Sequence, residues 1–245
     1  MGPADPVAGM AKESIRQRVW DDLADSGEAR FPFPPHDRIP NVAGAETAAE
    51  RAMATPELAG AGAVKANPDA PQLPLRRRLL RAGTTLYMAA PRLADEAPFL
   101  ELDPDAVTDL DAAPTVSHVE DHGRRVGPEA VPPLDAIVVG SVAVTPEGVR
   151  VGKGEGFSDL EFGFLCELGA AGDDTPVVTT VHDRQVLEAG TVDPDAHDVP
   201  IDVVCTPTRT LRVDEPGPKP SGIDWDRIDD ERLEEMPVLA RLRGD

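Results

Sequence analysis

Ala136-Ile-Val-Val-Gly-Ser-Val-Ala-Val144, then Thr145-Pro-Glu-Gly148, then Arg150-Val-Gly-Lys-Gly-Glu-Gly-Phe-Ser-Asp159, is the stretch that decides the fold. The first nine residues are apolar on both faces, the pattern of a strand in the middle of a parallel sheet, where neither face meets water. After one turn a Gly-x-Gly-x-Gly run leads into Leu160, Phe164, Leu165 and Leu168, the apolar stripe of a helix that Gly169 can stop. Ser158 and Glu161 stand at the S-x-x-E spacing of a capping box. Alternate glycines let a ligand approach the backbone, and free amides at a helix start attract an anion. Arg150 and Lys153 add positive charge, so the junction reads as a phosphate site. Its spacing is neither a Walker A loop nor a dinucleotide fingerprint.

Outward from this junction, helices and strands alternate. Residues 176–182 (PVVTTVH) and 201–207 (IDVVCTP) are strands after it, and 85–91 (TLYMAAP) is one before it. Ile15, Val19 and Leu23 mark an amphipathic first helix ended by Gly27. A second helix is predicted over 44–58, a third over 74–82 (PLRRRLLRA) closed by Gly83, and a short one from Asp103-Pro104. Residues 28–43 form a proline-punctuated loop with Phe31 and Phe33 expected to be buried, and 65–72 (KANPDAPQ) reads as a connector. The class is α/β. Residues 1–9 read as a flexible leader, 10–212 as one α/β domain, and 213–245 as a linker with a terminal helix packed through Leu233, Met236 and Leu239.

The chain has 245 residues with 24 basic and 45 acidic side chains, a formal charge of −21. That acidity argues against general binding to nucleic acid or anionic lipid, both of which need a positive footprint. There is no run of 18 apolar residues for a membrane span and no basic-then-apolar leader. Lys12, Lys65, Lys153 and Lys219 are the four lysines, the other basic residues being arginine. Such a composition fits a halophilic protein, since at ~1 M salt the Debye length falls to ~3 Å and surface repulsion costs little. Cys166 and Cys205 sit in no metal-like or redox-like pair, as expected of a reduced cytoplasmic protein.

Three motifs in order resemble the 5-formyltetrahydrofolate cyclo-ligase family, also called methenyltetrahydrofolate synthetase. Arg150, Gly152, Gly154, Gly156 and Asp159 stand in register with its R-x-G-x-G-x-G-Y-Y-D pattern. Lys12-Glu-Ser-Ile-Arg16 matches its K-x-x-[LI]-R helix, and His197-Asp198 matches an H-D element before the final strand. The stretches PNVAGAETAAERA, KANPDAPQLPLRRRLL and GKGEGFSDLEFGFL look like the methenyltetrahydrofolate synthetase domain-containing subgroup. The resemblance implies a three-layer α/β/α fold with a mostly parallel sheet, similar to ribose-phosphate isomerase and CoA-transferases. It implies ATP and Mg²⁺ as reactants and a folate or related pterin as the small-molecule substrate. The formyl oxygen would be phosphorylated and displaced as nitrogen-10 closes the ring, leaving the 5,10-methenyl form.

Carried over residue by residue, Arg150 and Lys153 are catalytic candidates. Lys12, Arg16, Gly152, Gly154, Glu155, Gly156, Phe157, Ser158 and Asp159 are ATP- and phosphate-binding candidates. Asp159 and Asp198 are metal candidates, and Glu46 is a candidate on the pterin side. This chain departs from the family pattern at Phe157 and Ser158, which replace two tyrosines, and at Glu155, inside the loop where lysine is frequent. A carboxylate ~4 Å from a phosphate charge costs ~4 kcal/mol at an effective dielectric of 20. Those departures favour an alternative, a non-catalytic nucleotide- or folate-binding module or an RNA-linked regulator using the cluster Arg76, Arg77, Arg78 and Arg81. Against that, the cluster reads first as a solvated, salt-bridged helix face. His118 and His122 read as a loop or strand end rather than a zinc pair, His182 as a structural cap, and Trp20 and Trp225 as partners in the core.

Overall fold

The computed structural model describes residues 11–89, 96–229, 233 and 235–243; the expected leader 1–9 lies outside them. Ala136–Val139 (β5) is buried along its length and pairs in parallel with Ala63–Ala66 (β1) and Val177–Thr180 (β8). β1 continues in parallel to Thr85–Ala89 (β2), and β8 to Val203–Cys205 (β9). Phe99–Leu102 (β3), Arg124–Val126 (β4) and Thr210–Arg212 (β10) complete the edges as antiparallel strands. The order across the sheet is β10-β9-β8-β5-β1-β2-β3-β4. The chain builds away from β1 in one direction, then returns beside it at β5 and builds in the other. The crevice beyond the carboxyl ends of β1 and β5 is therefore a topological switch point, the place where open α/β sheets bind ligands.

Among the described residues the α-helices are Lys12–Asp25 (α1), Ala45–Met53 (α2), Leu73–Arg81 (α3), Val119–His122 (α4), Phe157–Glu167 (α5) and Pro237–Arg243 (α6). Strand periodicity sorts them into layers. Ile137 and Val139 enter one core with Phe162, Phe164 and Leu165 of α5 and with Met236, Val238 and Leu239 of the tail. Ala136 and Val138 enter the opposite core with Ala49 and Ala52 of α2 and Leu75 and Leu79 of α3. The result is a three-layer α/β/α arrangement. A third cluster packs α1, through Ile15, Val19 and Leu23, against Ala143–Val144 (β6) and Arg150–Val151 (β7), a small antiparallel pair at the crevice.

Several expectations are corrected. Residues 136–144 are not one strand: the chain leaves the sheet at Gly140, where a Cβ would lie 2.5 Å from Asp69 Oδ2. Lys65 and Ala66, expected in a connector, belong to central strand β1; the lysine disguised it, but its ammonium is buried against Glu161. α2 ends at Met53, and Leu58 is buried beyond it. Asp103-Pro104 opens only one turn, with the Val107 N–H on the Asp103 carbonyl and the Asp105 N–H on Asp103 Oδ1, and no helix follows it. Phe31 and Phe33 are 77% and 63% exposed. Trp20 packs with α1, tilted against His36 and donating to the Arg38 carbonyl, whereas Trp225 packs against the α5 side.

Candidate active site

A cavity of about 750 Å³ opens at the switch point. Ile39, Met88, Leu100, Val116 and Val119 supply apolar lining, and the glycine run with Lys12 and Arg16 supplies polar lining. Lys12 and Arg16, four residues apart on α1, share a face. Arg16 Nε donates to the Gly152 carbonyl at 2.7 Å, and its Nη1 meets Glu13 at 2.7 Å. Lys12 Nζ donates to Asp195 at 2.7 Å and to Asp198 at 2.5 Å. Burial pulls the Lys12 ammonium down, but the hydrogen bonds and charges of Asp195 and Asp198 outweigh it and hold it above its ordinary value. The same hydrogen bond from Lys12 holds the Asp195 carboxyl low.

Arg150 is buried at the start of the loop, donating to the Gly140 carbonyl at 3.0 Å and to Asp159 Oδ2 at 2.8 Å. Asp159 Oδ1 accepts the Val199 N–H at 3.1 Å, which ties α5 to the loop carrying Asp198. A Cβ on Gly152 would lie 2.9 Å from Arg150 Nη1, and Gly154 holds φ +106° with Arg16 Cζ only 3.3 Å from its missing Cβ. These glycines thus make room for the guanidinium groups of Arg150 and Arg16 against the loop. Lys153 Nζ reaches Glu155 at 2.7 Å, so the loop's acid and its lysine neutralise each other.

The capping box is a correction. α5 starts after Gly156, whose φ of +70° turns the chain into the helix, and Ser158 and Glu161 lie inside it. Ser158 Oγ accepts from Asn67 Nδ2 at 2.8 Å, and Asn67 Oδ1 accepts from Lys65 Nζ at 2.5 Å. Glu161 pairs with Lys65 instead of its own helix end, because a buried ammonium demands a counter-charge more strongly than an amide demands a cap. This chain of contacts fixes the loop-to-helix junction to the centre of the sheet.

The structure therefore brings Lys12, Arg16, Arg150, Gly152, Lys153, Gly154, Glu155, Gly156, Phe157, Ser158, Asp159 and Asp198 to one cavity. It does not bring Glu46 there: that side chain is exposed on α2, 3.5 Å from Arg78. Asp195, His197 and Asp198 present ligand atoms within 4.8 Å of one another. Asp69, which sequence reasoning passed over, lines the cavity after β1, and burial raises its carboxyl above the ordinary range despite Lys153, Arg76 and Lys65 nearby. The one available signal was the N-P-D turn, legible as a site only once the strand before it is known.

His118 and His122, which do not line the cavity, flank and end a helical turn rather than a loop, and Val119 between them lines it. His182 Nδ1 accepts the Arg184 N–H, capping a 3₁₀ turn. Arg77 and Arg81 meet Asp111, and Arg78 meets Glu46. Arg76 departs from the expected solvated face: 1% exposed, it donates to the carbonyls of Asn67, Pro68, Asp69 and Pro114. Burial lowers its pKa to about 10.

Residues 9–207 match the 5-formyltetrahydrofolate cyclo-ligase family, and the chain belongs to that family. Over 242 residues it is 40% identical to the methenyltetrahydrofolate synthase domain-containing protein of Bos taurus, covering 98% of this chain and 63% of that protein. The Homo sapiens protein of the same name is 37% identical over 241 residues, 97% of this chain and 63% of that one. The chain thus spans less than two thirds of the length of these relatives. Among solved structures it is similar to the NMR structure of Aquifex aeolicus 5,10-methenyltetrahydrofolate synthetase. The TM-score is 0.54 at 20% identity, over 84% of this chain and 94% of that one. Among the described residues, no helix is long and apolar enough to cross a membrane.

Proposed function

We propose that the chain catalyses ATP- and Mg²⁺-dependent cyclisation of 5-formyltetrahydrofolate, or a related pterin, to the 5,10-methenyl form, in a cytoplasm of high salt. The observation carrying this reading is one cavity lined both by the glycine loop with Lys12, Arg16 and Arg150 and by the apolar side chains of Ile39, Met88, Leu100, Val116 and Val119. Phosphoryl transfer asks a protein mainly for positioning and charge stabilisation. The apolar lining would hold the pterin with its formyl oxygen toward the loop. Loop amides, Arg16 and Lys12 would bind the triphosphate, and Arg150, fixed by Gly140 and Asp159, would hold the loop's shape and face the transferred phosphoryl group. The formyl oxygen attacks the terminal phosphorus and ADP leaves; nitrogen-10 then attacks the activated carbon, gives up its proton to solvent, and phosphate is expelled.

The donor set suits a hard cation: carboxylate oxygens of Asp195 and Asp198 lie together beside the loop. Both oxygens of Asp159 are engaged by Arg150 and Val199, so Asp159 would act as an anchor and through its remaining lone pairs. Bound there, Mg²⁺ would supply charge neutralisation at the phosphates. Lys12, now hydrogen-bonded to both aspartates, would turn to the phosphate oxygens. Release of labelled phosphate from γ-labelled ATP that requires 5-formyltetrahydrofolate tests the reading; release independent of it, or none, counts against it.

A second reading has its own observation. Lys153 is held by Glu155, and Phe157 and Ser158 offer no phenol, as a nucleotide- or folate-binding member without turnover would have it. ATP binding without substrate-dependent phosphate release supports this alternative.

A further inference from the structure

One arginine of the α3 cluster joins two parts of the cavity lining. Arg76 Nη1 donates to the Asn67 and Asp69 carbonyls at 2.5 and 2.9 Å, and its Nη2 to the Pro68 carbonyl at 3.1 Å. Its Nε donates to the Pro114 carbonyl at 3.0 Å, on a stretch of chain 38 residues further on. Arg77 Nε donates to the Asp111 carbonyl at 2.9 Å, and Arg81 pairs with the Asp111 carboxylate, so α3 holds this stretch at two places. Around Pro114 the chain is knit to itself. Thr115 Oγ1 donates to the Ala112 carbonyl at 2.7 Å, and the Val119 N–H donates to the Thr115 carbonyl at 2.9 Å. Both stretches line the cavity, the first through Asn67, Pro68 and Asp69, the second through Val116 and Val119. A single buried guanidinium therefore sets the spacing between them.

We propose that Arg76 is a positioning residue for the pterin-bearing substrate, acting through the segment from Pro114 to Val119. The inference rests on the cyclo-ligase reading above and adds to it the group that sets the fit of the ring. A buried cation is a costly way to gain stability, since well-packed apolar residues of similar volume often serve as well or better. What a guanidinium alone supplies is a rigid planar fork that holds several acceptors at fixed spacing. A lysine carries its donors on one atom and cannot span Pro114 and the Asn67–Asp69 turn together. Without that span the Pro114–Val119 segment is free to drift, and a misplacement of ~1 Å in a positioning group is costly. The proposed phosphate groups are fixed by other bonds: Arg16 by the Gly152 carbonyl, Arg150 by the Gly140 carbonyl and Asp159. The effect of Arg76 therefore falls on the pterin and not on ATP.

The test is calorimetric titration of the full chain with 5-formyltetrahydrofolate and, separately, with ATP and Mg²⁺. The proteins are the wild type, Arg76→Lys, Val116→Ala and the double variant. Arg76→Lys is expected to lower affinity for 5-formyltetrahydrofolate by about tenfold, with ATP affinity within about twofold of the wild type. Val116 is 66% exposed, so Val116→Ala leaves the core intact. It is expected to weaken 5-formyltetrahydrofolate binding by about threefold, the worth of a partly buried methyl group. In the Arg76→Lys background the same change should cost almost nothing, because the valine is already out of place. A general loss of stability produces neither the selectivity nor this coupling. Additive effects, equal losses for both ligands, or unchanged affinities in folded Arg76→Lys overturn the inference alone. If Arg76→Lys fails to fold, Val116→Ala decides: weaker binding of 5-formyltetrahydrofolate alone supports the placement, and unchanged binding overturns it. A wild type that binds ATP but not 5-formyltetrahydrofolate overturns the cyclo-ligase reading and this inference with it.

Discussion

Lys153 and Glu155, two residues apart in the glycine loop, close an ion pair at 2.7 Å while both line the cavity. The acid that looked like an obstacle to a phosphate is therefore partly neutralised, and the lysine that should attract one is partly spent. Both side chains are more than a third exposed, so solvent screens the pair and its worth to stability is small. Glu155→Lys is predicted to strengthen ATP binding by roughly 5- to 30-fold, ~1–2 kcal/mol, the lower part of the Coulomb range for a half-exposed charge. Titration calorimetry checks this; an unchanged or weaker affinity places the carboxylate outside the phosphate path.

Arg76 holds the Asn67–Asp69 turn through four carbonyl acceptors in the protein interior. Arg76→Ala is predicted to lower unfolding free energy by ~3 kcal/mol or more, because several buried carbonyls lose charged donors. Arg76→Lys restores charge but not the planar fork and should remain well below the wild type. Urea unfolding decides it, and a loss within ~0.5 kcal/mol would mean that water replaces the guanidinium without cost.

The Lys65–Glu161 pair is buried between β1 and α5. Removing one partner strands a charge, so Lys65→Met should cost ~3–5 kcal/mol. The double variant Lys65→Met with Glu161→Leu should recover much of that loss. A double variant no more stable than the singles would show that Asn67 and Ser158 depend on the pair for their order.

Asp69 gives a pH dependence. Burial raises its folded carboxyl above the unfolded value, so the folded state binds the proton more tightly. Its contribution is fully present below the ordinary carboxylate pKa and is lost as pH rises through the folded one. Asp69→Asn should therefore melt at a higher temperature than the wild type at pH 7, the difference shrinking as pH falls below ~4. A constant difference across that range would show that the carboxyl keeps its ordinary pKa in the fold.

Much of this was legible in the sequence because it was local. The apolar run from Ala136, the glycine spacing after Arg150 and the i, i+4 pair Lys12 and Arg16 need nothing from the rest of the chain to be recognised. What escaped depended on distant partners. Lys65 hides strand β1 because its counter-charge is 96 residues away. Glu161 imitates a cap because the same distant lysine claims it. Arg76 is indistinguishable in sequence from Arg77 and Arg78, yet its carbonyl partners take it into the core. Asp69 reads as a turn residue until the sheet order places it at the switch point.

The central proposal meets its most direct test in one cuvette. Purified protein in ~2 M KCl, where its acidic surface is screened, is mixed with ATP, Mg²⁺ and 5-formyltetrahydrofolate, and the methenyl absorbance is followed. The proposed function predicts growth of that absorbance only when all three are present, and its loss in Arg150→Ala. A flat trace from a folded protein whose melting temperature still rises with ATP would contradict it, leaving a nucleotide-binding module on a cyclo-ligase fold.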